Sequence, residues 1–458
     1  MSKERLSKEK VESKRRESGK KTPRSGSAET STARSSKGKS VTGVSPCDGS
    51  VDSKEISNHL VALKYYHGMM PREEIEDLLK NDGDFLLRKT EVTKVPRISI
   101  SVMYNRRIRH ILISNLEGQW TIRGVKKKEI SELIEHHMKQ KVPVQSDGAL
   151  LLNPISRPDF YMLHDDIILG DKLGSGAFGA VHKGVLKKDG KTIDVAVKLL
   201  KGAVKKRNRA NFIKEAHIMY LFHHRNVVQI YGIAPQEEPL MIVLELCPGG
   251  CLRKHLQKNK DITEKRLISY VKDAVRGLCY LALRRVIHRD IAARNCLLGK
   301  EDDVKISDFG LSCQGEKFKI EKGSRVPVKW LAPETFKDGV FTSKTDVWSF
   351  GVMTWEIFNR CATEPFPKDS SKTARAKICS GKTALEIPPD TPQAMKDLMK
   401  KCWIQDPEIR PSFEELFQLL CPDEPVPIED DKRILEGMEE ITKHIEPSEY
   451  IFKNHGIF

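Results

Sequence analysis

The spacing of hydrophobic and polar residues divides the chain into four regions. Residues 1–60 are rich in Lys, Arg, Ser, Gly and Thr and nearly free of aromatic residues. Such a segment cannot bury enough apolar surface to offset its ordering entropy, so we predict a disordered basic arm. Two units follow over 66–155 and 166–421, and the tail over 422–458 contains a short amphipathic helix pattern. That helix would use Ile434, Leu435, Met438 and Ile441.

The smaller unit, 66–155, has the pattern of a compact α+β domain. A short helix is predicted over 71–79, with proline at its start. The run 85–88 is typical of a buried strand, and another strand is predicted over 107–115. Between them, alternation with polar residues predicts a half-exposed strand that buries Ile98, Ile100 and Val102. An amphipathic helix would follow, with Ile130, Leu133, Ile134 and Met138 on its apolar face.

The larger unit, 166–421, begins with strand patterns and ends with helical ones. Near its start lies a glycine-rich segment, whose backbone N–H groups could approach phosphates closely. Its candidate nucleotide-binding residues are Leu173, Gly174, Ser175, Gly176, Ala177, Phe178, Gly179 and Val181. The next apolar strand carries Ala196 and Lys198, and a helical pattern carries Glu215 as the expected ion-pair partner of Lys198. Taken alone, a glycine loop also suits a plain hairpin and a lone lysine a solvated surface group.

A further apolar run, 242–250, resembles a strand that ends in a hinge. Backbone groups of Glu245 and Cys247 would contact adenine there, with Leu244 behind the nucleotide. A plain core strand fits the same residues equally well.

The most specific signal is the run 288–295, which reads His-Arg-Asp-Ile-Ala-Ala-Arg-Asn. Asp308-Phe309-Gly310 and Ala332-Pro333-Glu334 follow it in order, and Asp346 and Arg410 lie further on. Residues 166–421 therefore resemble a eukaryotic protein kinase catalytic domain throughout.

This resemblance implies ATP as a substrate and Mg²⁺ as the metal, with Mn²⁺ as an alternative. Lys198 would contact the ATP phosphates, and Asp290 would accept or orient the hydrogen of the substrate hydroxyl. Asn295 and Asp308 would hold the metal. Asp346 would brace the catalytic loop and Arg410 would pair with buried Glu334, both in structural roles.

Two features resemble tyrosine kinases rather than serine/threonine kinases. Arg294 follows Asp290 by four residues, whereas serine/threonine enzymes place a lysine two residues after the aspartate. The segment 327–330, Pro-Val-Lys-Trp, would form a platform that leaves room for tyrosine. The resemblance thus implies transfer of the ATP γ-phosphoryl group to tyrosine in protein substrates.

The smaller unit resembles a Src homology 2 (SH2) domain. The matching segments are Tyr66-His67-Gly68, Pro71-Arg72, Phe85-Leu86-Leu87-Arg88 and His110. A buried arginine needs an anionic partner, and its planar fork suits phosphate. The resemblance therefore implies that Arg88 binds phosphotyrosine, with Arg72, Thr90 and His110 contributing to the pocket. A purely structural role is the alternative for both Arg88, as a salt bridge, and His110.

Together the two units resemble the Fes/Fer group of non-receptor kinases. The expected fold class is α+β: a bilobal kinase, with a β-sheet and one helix in its N-lobe and a mainly helical C-lobe, preceded by an α+β SH2 domain. Expected partners are tyrosine-containing protein substrates and phosphotyrosine proteins. The one departure within the SH2 pattern is Tyr65, where the family usually has tryptophan.

Composition and charge fit a cytoplasmic protein. The ten cysteines form no Cys-x-x-Cys pair, the chain contains no apolar run of about 18 residues, and its start lacks the pattern of a signal peptide or a myristoylation site. The formal charge of +16 is attributed mainly to the arm and to basic domain faces. Weak contact of the arm with an anionic membrane is a further expectation, and specific nucleic-acid binding is not expected.

The segment from Asp308 to Glu334 contains no tyrosine. Phe318 occupies the position where relatives carry an autophosphorylated tyrosine, whose phosphate pairs with basic groups such as Arg289. We therefore expect activity that is independent of phosphotyrosine in this segment. A catalytically silent adaptor is the main alternative. Tyr450 is a candidate phosphosite for the chain's own SH2 domain, although an ordinary exposed tyrosine explains it as well.

Overall fold

The structure, a computed structural model, describes residues 59–92, 95–176, 179–188, 190–200, 206–320, 326–381 and 385–432. The predicted arm up to residue 58, the predicted tail helix and Tyr450 lie outside the described residues, as do Ala177 and Phe178. Within these ranges, no helix has both the length and the apolar character that crossing a membrane requires.

The smaller unit is built on a six-stranded sheet. Its elements are α1 (Arg72–Glu76), β1 (Asp84–Val92), β2 (Val95–Tyr104), β3 (Arg107–Leu116), β4 (Gln119–Ile122), β5 (Val125–Lys127), α2 (Ile130–Lys139) and β6 (Asn153–Pro154). The strand order is β5-β4-β3-β2-β1-β6. Successive residues of β1 point to opposite faces, so Leu86 packs with Ile75 beside α1, while Phe85 and Leu87 pack with Leu133 of α2.

Strand β2 differs from the prediction. Its three apolar residues are buried as predicted, but Ser99 and Ser101 between them are buried too, so the prediction of a half-exposed strand was wrong. The second face of β2 is covered by side chains of the neighbouring strands: Ser101 contacts Arg88 of β1 and His110 of β3. Helix α1 also ends at Glu76 instead of Leu79.

The larger unit has two lobes. The N-terminal lobe contains β7 (Ile167–Gly176), β8 (Gly179–Lys188), β9 (Lys191–Leu200), α3 (Lys206–Tyr220), β10 (Ile230–Ala234) and β11 (Leu240–Glu245). These strands form one sheet in the order β10-β11-β9-β8-β7.

The C-terminal lobe is mainly helical. Its helices are α4 (Leu252–Lys258), α5 (Glu264–Leu283), α6 (Pro333–Lys337), α7 (Ser343–Phe358), α8 (Ser371–Cys379), α9 (Gln393–Cys402) and α10 (Phe413–Leu420). Its short strands are β12 (Gly250–Cys251), β13 (Val286–Ile287), β14 (Cys296–Leu298), β15 (Val304–Ile306), β16 (Cys313–Gln314), β17 (Phe318–Lys319) and β18 (Val340–Phe341). Nearly every residue of α7 is buried, so this helix forms the centre of the lobe.

The two units share one hydrophobic cluster, to which α1 contributes Ile75 and α3 contributes Phe212. Next to it, the backbone N–H of Met69 donates to the carbonyl oxygen of Pro235 at 2.8 Å. Gly68 has a φ of +65°, and a Cβ there would lie 2.4 Å from the same carbonyl oxygen. Glycine is therefore required for this close approach.

The C-terminal strap, residues 424–431, packs on the larger unit after α10. The carboxylate of Asp430 accepts hydrogen bonds from the Tyr280 hydroxyl at 2.6 Å and from the Arg284 guanidinium at 2.5 Å. The backbone N–H of the next residue donates to the carbonyl oxygen of His223 at 2.8 Å. Burial alone would raise the pKa of Asp430, but the His223 imidazole, the Tyr280 hydroxyl and the Arg284 guanidinium together outweigh it and hold the pKa at about 2.

Candidate active site and phosphotyrosine pocket

A buried carboxylate on the central helix of the C-terminal lobe fixes the loop that carries Asp290. Asp346, on the central helix α7, accepts hydrogen bonds from the backbone N–H groups of His288 at 2.6 Å and Arg289 at 2.9 Å. Burial raises the pKa of Asp346 to about 7, although these two donors oppose the rise. Asp346 therefore fixes the backbone immediately before Asp290, the location that the sequence predicted.

Asp290, Arg294 and Asn295 meet at one point. The side-chain amide of Asn295 donates to both the Oδ2 atom and the carbonyl oxygen of Asp290, each at 2.7 Å. The Arg294 guanidinium contacts the Oδ1 atom of Asp290 and lies over the Trp330 ring, 4.3 Å from its centroid. The Asp290 carboxylate therefore has a fixed orientation.

A second buried carboxylate, which sequence reasoning missed, connects this loop to the platform at 327–330. Glu356 accepts from the backbone N–H of Ala293 at 2.9 Å and from Nε1 of Trp330 at 3.1 Å. Burial raises its pKa. Its only sequence signal is a glutamate within the otherwise apolar end of α7.

Lys198, on β9, points toward two carboxylates. Its Nζ atom lies 2.5 Å from Glu215 of α3 and 3.6 Å from Asp308. Burial disfavours the charged ammonium, but the attraction of the two carboxylates outweighs it, so the pKa of Lys198 is raised. The ammonium is thus charged, and all three predicted residues are brought together.

Asp308 has a left-handed backbone, with φ of 62° and ψ of 72°. The following Phe309 is buried against the rings of Phe222 and His288, with centroid distances of 5.7 Å and 5.1 Å. This packing turns Asp308 toward Lys198. Asn295 and Asp308 supply an amide and a carboxylate oxygen, and these hard donors fit Mg²⁺.

Among the described residues, the predicted nucleotide-binding positions of the glycine-rich segment and Ala196 lie on β7, β8 and β9, and β9 also carries Lys198. Gly174, Ser175 and Gly176 of β7 pair with β8, where Val181 lies, and Leu173 is 52% exposed. Ala196 is buried in β9. The backbone N–H of Glu245 donates to the carbonyl oxygen of Gln229 at 2.8 Å, and the Glu245 carboxylate lies 3.0 Å from the Lys305 ammonium.

In the smaller unit, Arg88 is only 5% exposed and lies beside a chain of polar side chains. Its Nε atom donates to Ser101 at 3.2 Å, the Ser101 hydroxyl lies 2.9 Å from Nδ1 of His110, and Nε2 of His110 lies 3.1 Å from the Glu76 carboxylate. Burial lowers the pKa of His110, and the hydrogen bond that its imidazole donates to the Glu76 carboxylate offsets this only in part.

The other two predicted pocket residues lie around this chain. Arg72 is exposed on α1, near enough to His110 to lower its pKa further. Thr90 follows Arg88 by two residues in β1 and therefore points to the same face. Sequence reasoning missed Ser101 and Glu76; a serine between buried apolar residues of β2 was the available signal.

The remaining structural pair is also formed. Arg410 is buried and donates to both carboxylate oxygens of Glu334, at 2.6 Å and 3.1 Å. Removing either partner would leave a buried charge uncompensated.

Known families match both units. A family model described as protein tyrosine and serine/threonine kinase matches residues 167–420, and an SH2 domain model matches residues 65–137. The chain is 39% identical to Fer-related kinase 1 of Caenorhabditis elegans over 81% of its own length and 96% of the relative. It is 36% identical to spermatocyte protein spe-8 of Caenorhabditis briggsae, covering 80% of the chain and 71% of the relative.

Vertebrate relatives are longer. The chain is 38% identical to tyrosine-protein kinase Fer of Rattus norvegicus over 81% of its own length, but spans only 44% of that protein. The chain therefore belongs to the protein kinase family, as a tyrosine kinase with an SH2 domain preceding its catalytic domain.

Proposed function

We propose that Asp290, Arg294 and Asn295 form the reacting centre at which the chain transfers the γ-phosphoryl group of ATP to tyrosine hydroxyls. The observation that carries this proposal is the fixed orientation of the Asp290 carboxylate by Asn295 and Arg294. Asp290 would orient the tyrosine hydroxyl and accept its proton as the phosphorus–oxygen bond forms. Arg294, between Asp290 and Trp330, would stabilise negative charge on the transferring group.

Lys198 would bind the ATP phosphates and Glu215 would hold its ammonium in position. The glycine-rich segment from Leu173 to Val181, with Ala196, would enclose the nucleotide, while the Glu245 carbonyl oxygen and the Cys247 N–H would contact adenine. Mg²⁺, or Mn²⁺ in its place, would bind Asn295 and Asp308 and neutralise phosphate charge.

The SH2 domain would bring the kinase to phosphotyrosine proteins. Arg88, buried beside Ser101 and His110, has the planar donors that bind a phosphate bidentately. Arg72 and Thr90 would add donors at the pocket rim.

The expected location is the cytoplasm, and the nine cysteines of the described ranges are all free thiols, as a reducing compartment requires. The basic arm would add weak contact with anionic membranes. Binding of phosphatidylserine vesicles that weakens steeply with salt and is lost on deleting residues 1–50 is the expected result.

Transfer of ³²P from ATP to poly-(Glu,Tyr) in the presence of Mg²⁺ tests the catalytic proposal. Asp290→Asn should reduce kcat by about 100-fold or more, because the proton acceptor is lost. Asp397→Asn, on the exposed face of α9, is the matched control and should retain activity. A wild-type chain that transfers no phosphate while binding phosphotyrosine peptides would instead indicate a silent adaptor.

A further inference from the structure

Arg289 precedes the reacting aspartate and has a left-handed backbone, with φ of 68°. The backbone N–H of Arg289 donates to the Asp346 carboxylate. The Nε atom of Arg289 donates to the carbonyl oxygen of Leu311, which directly follows the Asp308-Phe309-Gly310 motif. The Arg289 side chain therefore connects the catalytic loop to the start of the activation segment.

Two aromatic rings cover the guanidinium of Arg289. It lies over the Phe318 ring, 4.0 Å from the centroid, and 5.4 Å from the centroid of Phe341. We call Phe318 and Phe341 the aromatic pair. A cation over the face of an aromatic ring is attracted by the ring quadrupole. Arg289 is thus held from the activation-segment side as well.

The aromatic pair has a structural basis in the backbone. Phe318 and Phe341 lie opposite each other in the antiparallel pair β17–β18, and the N–H of Ile320 donates to Gly339 at 2.8 Å. Both rings also belong to an apolar cluster with Ile287 and Leu331. Strand pairing and apolar packing therefore hold the Phe318 ring in its position over Arg289.

We propose that Phe318 is a positioning residue, whose ring on Arg289 permanently holds residues 308–320 of the activation segment in place, in the way that a phosphate on tyrosine would hold them reversibly. A benzyl side chain has no hydroxyl and cannot be phosphorylated. The kinase is therefore set for transfer before any phosphorylation of this segment. This inference rests on the proposed transfer reaction and concerns its regulation.

Ser312 offers the nearest competing explanation, because a phosphoserine could order the same segment. Its hydroxyl is buried and donates to the carbonyl oxygen of His288 at 3.3 Å. A phosphate there would first have to break this contact.

The first experiment compares phosphatase-treated wild type, Phe318→Leu and Phe318→Tyr on poly-(Glu,Tyr). Wild type should show linear product formation without a lag. Phe318→Leu keeps apolar volume but loses the ring face, so kcat should fall roughly 2- to 30-fold while the KM for ATP stays unchanged. Phe318→Tyr keeps the ring and should stay within about twofold of wild type before any phosphorylation.

An Arg289→Met variant separates positioning from simple packing, because it keeps a long side chain but has no cation. If Phe318 acts through the charge of Arg289, Phe318→Leu should cause no further loss of kcat in the Arg289→Met background. Fully additive losses, or equal kcat for wild type and Phe318→Leu, would overturn the proposal. A lag in wild type that ends with phosphorylation of Ser312 or Ser324 would overturn it as well.

A second readout does not depend on activity. In the Asp290→Asn background, where transfer should be strongly reduced, trypsin should cut after Lys317 or Lys319 faster when Phe318→Leu is added. The Phe318→Tyr variant in the same background should resist cleavage like the parent. Equal cleavage rates would contradict the inference. Absence of transfer by the wild-type chain would refute the proposed function, and this proteolysis result would still stand.

Discussion

Two arginines, Arg88 of the SH2 domain and Arg289 of the catalytic loop, differ in the side chains that surround their guanidinium groups. Arg88 is buried next to a hydroxyl and an imidazole, both of which can hydrogen-bond an oxyanion. Arg289 is covered by the aromatic pair, which attracts its charge but offers nothing to a phosphate. The same side chain is thus prepared for a ligand in one unit and retained as part of the fold in the other.

This difference predicts that replacing Arg88 affects only phosphopeptide binding and that replacing Arg289 affects only catalysis. Arg88→Ala should reduce affinity for a phosphotyrosine peptide by about 100-fold or more, because two charge-assisted hydrogen bonds are lost, and should leave kcat on poly-(Glu,Tyr) unchanged. Arg289→Ala should lower kcat and leave peptide affinity unchanged. Fluorescence anisotropy and initial rates on the same preparations measure both quantities.

The control for Arg88 is Arg106→Ala in the β2–β3 turn, which should bind the peptide normally. If Arg88→Ala lowered kcat on poly-(Glu,Tyr) in the absence of a phosphotyrosine peptide, Arg88 would contribute to catalysis. The proposed separation between the roles of Arg88 and Arg289 would then be wrong.

A second prediction concerns the contribution of Ser101 to phosphopeptide affinity. Ser101→Ala removes the hydroxyl between Arg88 and His110, so phosphopeptide affinity should fall by about fivefold, the value of one hydrogen bond of roughly 1 kcal/mol. Isothermal titration calorimetry would measure it. Ser114→Ala, at an exposed position of β3, should bind like wild type; a similar loss in both variants would contradict the role of Ser101.

His110 adds a pH dependence. Burial lowers its pKa in the free domain, whereas a bound phosphate would raise it, so binding takes up a proton. Relative to His110→Gln, wild-type affinity should therefore rise as pH falls below about 6.5, by about threefold. The ratio of the two affinities cancels titration of the phosphate itself. A ratio that is constant from pH 7.5 to 5.5 would exclude protonation of His110.

Phe341 should give the smallest effect. Its ring centroid is 5.4 Å from the Arg289 guanidinium, compared with 4.0 Å for Phe318. Phe341→Leu should therefore lower kcat by only about twofold. Rapid-quench measurement of a single turnover would resolve this change; a loss larger than that of Phe318→Leu would reverse the assigned order of the aromatic pair.

The residues proposed to react could be nominated from the sequence because their identities and spacing are local; their roles stay predictions. The SH2 and kinase units and the tyrosine kinase reaction were confirmed by the family matches. Ser101, Glu76 and Glu356 were missed because their roles arise from partners that are 9, 34 and 63 residues away along the chain. The half-exposed assignment of β2 was wrong for a related reason, since its outer face is covered by groups remote in sequence.

The C-terminal strap has a consequence for where the cooperative folding unit ends. The last helix of the C-lobe finishes at Leu420, yet Asp430 is anchored to Tyr280 and Arg284 well beyond it. Amide hydrogen exchange at residues 428–431 should therefore be slowed together with the end of α5, not released like a free terminus. Cleavage after residue 421 would remove the contacts that the strap makes with α5 and with His223, which follows α3. The larger unit should then unfold more easily, even though no residue of the reacting centre is lost.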